Sequence, residues 1–390
     1  MNALREKIEH EIRKQGPMPF SRYMELCLYD EELGYYSRDA KQFGKAGDFY
    51  TSSDVHAVFG RLMARQFEEM WRVLERPERI VIEELGPGRG LFAGDVLDWS
   101  AKKFPEFFAA LQYVLVESSP ALQERIESVL GKHLESGKAQ LAVCGPSRAE
   151  VPDVRPWNGA TQIVPFPRIV FANEFFDALP VEIVGSEGSL RIDVREGKFV
   201  ESWVPASARE LEFLDRFSVH PEPGERLEVP LQSQISMGAA ATLSRGLLIA
   251  IDYGYTREEQ LAGRHRGTLK AIRKHAVSAT PYEAPGEQDI TADVNFTALA
   301  ASAQQHGLHA EKPLTQSQFL MGIGEANEFA DAFEDCRLPQ ERAKVALQLK
   351  HLVTPAGMGE SFHVLVASRG LPREGVEGLS GLGFGKKGRA

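Results

Sequence analysis

The sequence has few cysteines and no long apolar run. Its three cysteines, Cys27, Cys144 and Cys336, are odd in number and far apart, so they resemble neither a disulfide framework nor a zinc site. We expect reduced thiols and no bound metal. No stretch approaches the roughly 18 apolar residues that a membrane-spanning helix needs. The charged first residues are typical of neither a secretory signal nor a transit peptide, which favours a cytoplasmic location.

The chain also lacks an excess of positive charge. Its 45 Lys and Arg against 55 Asp and Glu give a formal net charge of -10. A nucleic-acid partner is therefore disfavoured, although a local basic face is compatible with this total. The remaining composition, 43% hydrophobic and 26% charged, is that of a globular protein. A length of 390 residues suits one elaborated domain or two, and nothing in the sequence specifies an oligomeric state.

Short apolar segments alternate with helical patterns along much of the chain. This alternation predicts an α/β protein with a doubly wound, Rossmann-like parallel sheet covered on both faces. The predicted core strands are residues 79–85, 113–117, 140–143, 168–172, 246–253 and 362–367. Apolar periodicity predicts helices over residues 3–15, 21–29 and 55–71. A small antiparallel meander is expected within residues 181–200.

These patterns divide the chain into three parts. Residues 1–76 are expected to form an N-terminal helical region. Residues 77–370 form the core, with inserted α+β elements at about 178–245 and 313–355. Residues 371–390 are rich in glycine and are expected to be disordered. The helical stretch over 327–352 is expected to serve packing and not to form a partner groove.

A glycine-rich turn follows the first core strand. The run Glu84-Leu85-Gly86-Pro87-Gly88-Arg89-Gly90 places bare backbone at the carboxyl edge of the sheet, where doubly wound folds bind ligands. Glycine removes the Cβ atoms that would block a cofactor, and the N-terminus of the next helix offers free N–H groups to a carboxylate. We therefore assign cofactor binding to this turn, with Glu84, Gly86, Pro87, Gly88 and Gly90 as contacts.

The spacing of the glycines distinguishes between cofactors. A dinucleotide fingerprint would place its third glycine at position 91, which is Leu91, whereas this sequence has Gly90. Glu117 ends the next strand, where an acidic side chain can bind both ribose hydroxyls. A glycine-rich turn alone is about as often structural, but the second acid favours function. The arrangement resembles motif I of the class I methyltransferases, which implies S-adenosyl-L-methionine as cofactor and disfavours a nicotinamide oxidoreductase.

The candidate acceptor site follows the fourth core strand, in the run Asn173-Glu174-Phe175-Phe176-Asp177-Ala178-Leu179-Pro180. Asn173 is a further candidate for cofactor binding. Glu174 and Asp177 are candidate catalytic residues, because two carboxylates can bind a guanidinium at two points and bias its charge. The alternative is that one acid caps a following helix and the other is solvated.

Taken together, these segments closely resemble the MidA family, from about residue 15 to residue 370. The stretches that carry the resemblance are Gly47-Asp48-Phe49-Tyr50-Thr51-Ser52, the glycine-rich turn, the run from Asn173 to Pro180, Ile251-Asp252-Tyr253-Gly254-Tyr255, Gly267-Thr268-Leu269, Asp289-Ile290-Thr291-Ala292-Asp293-Val294-Asn295-Phe296, Thr315-Gln316 with Phe319-Leu320, and Met358-Gly359-Glu360. Mitochondrial members of this family are assembly factors for respiratory complex I, credited with symmetric dimethylation of an arginine in one subunit. The resemblance implies a class I methyltransferase core and arginine methylation of a partner protein.

The resemblance also implies substrate-binding roles outside the core motifs. Tyr50, Thr51 and Ser52 are candidates from the N-terminal region, although Tyr50 is also compatible with a core position. Asp252 ends a central strand and is either a pocket residue or a structural acid. His275 is either a substrate contact or a solvated side chain.

The chain departs from the family pattern at two places. Ser53-Asp54 stands where Pro-Glu is common, and Ile272 stands where an aromatic residue is common. Both departures concern the choice of acceptor. Two other functions therefore stay open, a small-molecule methyltransferase and a non-catalytic assembly factor that binds the cofactor.

Overall fold

The computed structural model describes residues 2–37, 57–143, 166–273, 276–278 and 280–385. Within these ranges the helices are α1 (Ala3–Gln15), α2 (Phe20–Tyr29), α3 (Ala57–Val73), α4 (Leu91–Lys103), α5 (Pro105–Ala110), α6 (Pro120–Glu135), α7 (Ala208–Phe217), α8 (Leu231–Ala240), α9 (Arg257–Leu261), α10 (Phe296–Gln305), α11 (Gln316–Glu325), α12 (Ala330–Phe333), α13 (Pro339–Val353) and α14 (Arg373–Glu377). None of these helices has the length and hydropathy to cross a bilayer.

The strands in the described ranges include every core strand that the sequence predicts. They are β1 (Met18–Pro19), β2 (Ile80–Leu85), β3 (Leu111–Glu117), β4 (Ala139–Val143), β5 (Arg168–Asn173), β6 (Glu182–Gly185), β7 (Gly188–Arg195), β8 (Lys198–Val204), β9 (Arg226–Val229), β10 (Gly246–Tyr255), β11 (Lys270–Arg273), β12 (Ala276–Val277), β13 (Asp289–Thr291), β14 (Val294–Asn295), β15 (His309–Ala310), β16 (Leu314–Thr315) and β17 (Phe362–Arg369).

The described residues fall into two compact units. The first unit comprises the described parts of residues 1–49, 175–237 and 254–302. The second comprises those of residues 50–174, 238–253 and 303–390. The predicted N-terminal region 1–76 is therefore divided, because α1 and α2 belong to the first unit and α3 to the second. The expected insertion at 178–245 corresponds closely to one segment of the first unit, whereas the segment 254–302 was not predicted.

The second unit contains a sheet in the order β15-β17-β10-β5-β2-β3-β4, with β16 beside β17. The five strands β2, β3, β4, β5 and β10 pair in parallel. The prediction of an all-parallel sheet is wrong at β17, which runs antiparallel to β10. The chain order reverses between β2 and β5, and such a switch point opens a crevice at the carboxyl ends of the strands.

Aromatic packing fixes α3 and α4 against this sheet. The ring of Phe92 on α4 stacks on Phe171 of β5 with centroids 4.7 Å apart. Phe67 on α3 meets the same Phe171 ring edge-on at 5.5 Å. All three rings are buried in the core of the second unit. Each fully buried aromatic side chain contributes several kcal/mol, on the order of 3–5 by truncation, so these helices are tightly bound to the sheet.

The first unit is built around an antiparallel sheet in the order β1-β7-β6-β9, with β8 paired to β7. This confirms the meander predicted within residues 181–200. The apolar side chains of Leu4, Ile8 and Ile12 on α1 recur every fourth residue and are buried in the core of this unit. A second, three-stranded sheet has the order β12-β11-β13.

The C-terminal segment is ordered as far as the structure describes it. The side chains of Val376, Leu379 and Leu382 are buried in the core of the second unit. The backbone N–H of Gly381 donates to Gln66 Oε1 on α3 at 2.9 Å. The prediction of a disordered tail over 371–390 is therefore wrong over 371–385, because the glycine content conceals three apolar residues that are buried.

The helical stretch predicted over 327–352 consists of α12 and α13, separated by residues 334–338. Leu349 and Leu352 on α13 lie in the core of the second unit, in keeping with the expected packing role.

Candidate functional site

The glycine-rich turn lies between β2 and α4 in the second unit. Gly86, Gly88 and Gly90 have φ angles of 63°, 56° and 74°. This left-handed region is unfavourable for residues with a Cβ atom, so glycine is the favoured residue at these three positions. The N–H of Gly86 donates to the carbonyl of Val116 on β3 at 3.1 Å. The loop is thereby tied to the neighbouring strand at the edge where ligands bind.

Gly88 and Gly90 differ in what surrounds them. A Cβ atom at Gly88 would meet no described atom within 4 Å, so this glycine faces open space. A Cβ atom at Gly90 would lie 3.3 Å from Ile126 Cγ1 and 3.4 Å from Leu130 Cδ1, both on α6. Gly90 therefore permits close packing of α4 on α6, which corrects the expectation that all three glycines clear space for a cofactor.

Glu84 is a buried acid at the end of β2. Its side chain is only 4% exposed, and its Oε2 accepts a hydrogen bond of 2.9 Å from the Tyr113 hydroxyl on β3. Burial raises the pKa of Glu84 to about 8, the Tyr113 hydrogen bond lowers it, and the negative charge of Glu117 raises it. The site thus holds an acid whose charged form lacks solvation.

Glu117, at the end of β3, is also buried. Its Oε1 accepts the backbone N–H of Ser119 at 2.9 Å. Burial raises the pKa of Glu117 to about 7, while the backbone N–H groups of Ser119, Ser118 and Gly88 lower it. The bond from Gly88 links this carboxylate to the glycine-rich turn, so the two predicted cofactor elements are adjacent.

Asn173 ends β5, and Glu174 follows it at the same edge of the sheet. The Asn173 amide donates from Nδ2 to Glu174 Oε1 at 3.2 Å, while its buried Oδ1 has no hydrogen-bond partner among the described residues. Glu174 has a φ of 51°, unusual for a residue with a side chain, and its N–H donates to the carbonyl of Ile251 at 2.9 Å. Such strained backbone is typical of functional positions.

Asp252 follows Ile251 on β10, at the same edge of the sheet. It is completely buried, and its Cα partner across the antiparallel pairing is His363 on β17. His363 is 4% exposed. Directly opposed residues project from the same face of a sheet. The structure thus adds a buried histidine beside an acid that sequence reasoning had singled out.

Asp177 belongs to the first unit, where it lies in a turn. The expected alternative of a capping acid is wrong, because residues 174–180 form no helix. Asp177 is 7% exposed, and its carbonyl accepts the N–H of Ala292 at 3.0 Å. Burial and the negative charges of Asp289 and Asp293 raise the pKa of the Asp177 carboxyl. Tyr36 donates to Asp289 Oδ1 at 3.1 Å.

Four predicted substrate-binding residues lie outside the described residues, namely Tyr50, Thr51, Ser52 and His275. In the part of the chain that the structure describes, no three His, Cys, Asp or Glu side chains are grouped so as to hold a metal ion.

Sequence reasoning missed Tyr113 and His363. Tyr113 was assigned to a strand as one of its apolar residues. Its hydroxyl could have indicated a polar neighbour, because a buried tyrosine usually needs a hydrogen-bond partner. His363 gave a similar signal, since it is a titratable residue within the apolar strand β17.

Comparison with protein families and known proteins bears on this site. Residues 62–314, well over half of the 390-residue chain, match a family model described as S-adenosyl-L-methionine-dependent methyltransferase. The Drosophila melanogaster protein arginine methyltransferase NDUFAF7 homolog, mitochondrial, is 29% identical over 98% of this chain and 88% of its own length. Human protein arginine methyltransferase NDUFAF7, mitochondrial, is 27% identical over 95% and 83%.

A solved structure is similar along nearly the whole chain. The crystal structure of a Burkholderia thailandensis protein bound to S-adenosyl-homocysteine superposes with a TM-score of 0.80. It is 27% identical and covers 97% of this chain and 94% of its own. The likeness confirms the predicted fold class.

Proposed function

Because the chain belongs to the family of S-adenosyl-L-methionine-dependent methyltransferases, we propose that its methyl acceptor is an arginine side chain of a partner protein. The observation that carries this proposal is the likeness, along nearly the full chain, to relatives named protein arginine methyltransferases. The position of Glu174 at the edge of the sheet supports it.

The residues of the second unit fit the cofactor. S-adenosyl-L-methionine supplies a methyl group bound to a positively charged sulfur. Gly88 leaves open space beside the loop, Glu117 offers a carboxylate suited to ribose hydroxyls, and Asn173 has a buried oxygen ready to accept a hydrogen bond. We assign cofactor binding to these residues together with Glu84, Gly86 and Pro87, while Gly90 supports the loop through its packing on α6.

Glu174 is assigned to the acceptor. A guanidinium is protonated at neutral pH, so a nitrogen must lose a proton as it is methylated. A carboxylate beside it binds the cation, orients it and stabilises the charge that remains. The amide of Asn173 and the left-handed backbone hold the Glu174 carboxylate in one direction. Asp177, the other predicted catalytic acid, belongs to the first unit, and its role stays a prediction.

The proposed partner is a subunit of a respiratory complex I-type assembly, as the family resemblance implies. We retain a cytoplasmic location as part of this proposal, although the named relatives carry the word mitochondrial.

The test is transfer of label from labelled S-adenosyl-L-methionine into proteins of a cell lysate, with mass spectrometry of methylated arginine. Wild-type protein should label arginine. The Glu174→Gln variant should label at least about 100-fold less, because an interaction made at the reacting group is lost, and should keep its affinity for S-adenosyl-homocysteine within about threefold. The matched control is Glu127→Gln, which alters an exposed acid of the same unit and should behave as the wild type.

Three outcomes would contradict the proposal. Label confined to the low-mass fraction would indicate a small-molecule methyltransferase. Binding of S-adenosyl-homocysteine without any transfer, together with full cellular function of Glu174→Gln, would indicate a non-catalytic assembly factor. Equal protein labelling by Glu174→Gln and wild type would remove Glu174 from the site.

A further inference from the structure

The hydroxyl of Tyr113 is a buried polar group in the middle of an apolar strand. Tyr113 is fully buried on β3, and its Cα pairs with Ile82 on β2. Glu84 lies two residues beyond Ile82, so it projects from the same face of the sheet as Tyr113. The hydroxyl donates to Glu84 Oε2 at 2.9 Å. A residue of the sheet interior thus reaches the acid that begins the glycine-rich turn.

The charge of Glu84 has little else to stabilise it. Among the described residues, the side chains that act on Glu84 are Tyr113, which stabilises its ionised form, and Glu117, which opposes it. No lysine, arginine or histidine in the described part of the chain forms an ion pair with Glu84 or Glu117 within 4.0 Å. A buried carboxylate without a cation is unfavourable until a positively charged group arrives.

The cofactor brings such a group. S-adenosyl-L-methionine and S-adenosyl-homocysteine both carry an α-ammonium group, and the loop beside Glu84 is the candidate cofactor site. We propose that Tyr113 is a positioning residue for cofactor binding, whose hydroxyl orients the Glu84 carboxylate toward the positive charge of the cofactor. This inference concerns the cofactor, so it stands whatever the acceptor is.

Tyrosine at this position does more than fill the core. Phenylalanine would keep the ring in place and bury the same apolar surface. It would leave the Glu84 carboxylate without its donor, and a hydrogen bond to a charged group is usually worth more than one between neutral groups. The strand could therefore pack with either residue, but only tyrosine fixes the direction of the acid.

A double-mutant cycle measured by calorimetric titration with S-adenosyl-homocysteine tests the proposal. The proteins are the wild type, Tyr113→Phe, Glu84→Gln and the variant with both changes. Tyr113→Phe should weaken binding roughly tenfold at pH 7, and Glu84→Gln at least as much. If Tyr113 acts through Glu84, adding Tyr113→Phe to Glu84→Gln should change affinity by less than about twofold.

Tyr23→Phe is the matched control. Tyr23 is an equally buried tyrosine, in the first unit, whose hydroxyl donates to the carbonyl of Pro281 at 2.9 Å. Removal of this hydroxyl should leave the affinity for S-adenosyl-homocysteine unchanged. Tyr113→Phe should also move the midpoint of the pH dependence of binding to higher pH, since the ionised carboxylate loses a donor. A packing defect would weaken binding equally at every pH.

Three results would overturn the proposal. They are an unchanged affinity of Tyr113→Phe, an equal loss in both backgrounds of the cycle, and an unchanged pH midpoint. Should Tyr113→Phe fail to fold, 3-fluorotyrosine at position 113 retains the size and strengthens the donor. The substitution should increase the affinity for S-adenosyl-homocysteine when Glu84 is present and have no effect in Glu84→Gln. An unchanged affinity when Glu84 is present would contradict the inference.

Discussion

Buried carboxylates of the second unit differ in what balances their charge. Asp331 on α12 is 1% exposed and is held by the guanidinium of Arg65 on α3, with Nη2 to Oδ1 at 3.1 Å. Glu84 and Glu117 are also buried, yet they receive only a hydroxyl and backbone N–H groups in the described part of the chain. Arg65 balances the charge of Asp331 within the fold, whereas Glu84 and Glu117 are the acids that we assign to the ammonium group and the ribose hydroxyls of the cofactor.

Asp293 of the first unit extends the comparison. Its carboxylate contacts Lys270 Nζ and His265 Nδ1, each at 3.1 Å. Burial would raise the pKa of Asp293, but the contacts with His265 and Lys270 outweigh it and the pKa lies below the usual value. Asp293 therefore resembles Asp331 and not Glu84.

The largest effect is expected at Arg65. Arg65→Met removes the cation from Asp331 and leaves a buried charge uncompensated, which should lower the free energy of unfolding by about 3 kcal/mol. Urea denaturation measures this loss, and calorimetry should show unchanged affinity for S-adenosyl-homocysteine. Arg373→Met is the control, because Arg373 pairs with Glu377 on the surface and its loss should cost less than about 0.5 kcal/mol. Equal losses in the two variants would contradict the comparison.

A change at Glu117 should have the opposite effect, lowering the affinity for the cofactor more than the stability of the fold. Glu117→Gln keeps the shape of the side chain but removes the charge that we assign to the ribose hydroxyls. Affinity for S-adenosyl-homocysteine should fall about thirtyfold, while the free energy of unfolding changes by less than about 1 kcal/mol. A variant that unfolds readily and yet binds normally would place Glu117 with Asp331 as a structural acid.

The two kinds of site should also differ in the sign of their pH dependence. The pKa of Glu84 in the folded protein is about 8, above the ordinary 4.5. The folded state therefore holds a proton that the unfolded state releases between these values, and the contribution of Glu84 to stability falls as pH rises. The stability of Glu84→Gln relative to wild type should therefore rise progressively from pH 5 to pH 8.

Asp293→Asn should behave in the reverse way. The lowered pKa of Asp293 means that its contribution is present above the ordinary value of 3.8 and disappears as pH falls through the pKa of the folded state. The difference in the free energy of unfolding between wild type and this variant should therefore become smaller at acidic pH. Unfolding curves over a pH series check both signs, and the same sign in both variants would refute the distinction.

The sequence predicted the parts of this molecule that depend on local pattern. Apolar runs located the core strands, and the spacing of Gly86, Gly88 and Gly90 indicated the loop and its cofactor. It did not predict that Gly90 packs on α6, because that contact involves residues about 36 positions away. The bond between Tyr113 and Glu84 was missed for the same reason, since it depends on the register of two strands.

Two other errors have physical causes. The first unit is assembled from three separate stretches of chain, and composition gives no boundary where a strand such as β10 continues without a turn. Disorder was predicted for the C-terminal tail from its glycine content. The described part of the tail is ordered because Val376, Leu379 and Leu382 are buried.

The most direct test of the account is hydrogen-exchange mass spectrometry of the wild-type protein with and without S-adenosyl-homocysteine. We expect protection on binding in peptides that cover residues 84–90, 117–119 and 173–174, and unchanged exchange around Arg65 and Asp331. Protection elsewhere, with exchange in the glycine-rich turn unaltered, would contradict the assignment of this edge of the sheet to the cofactor.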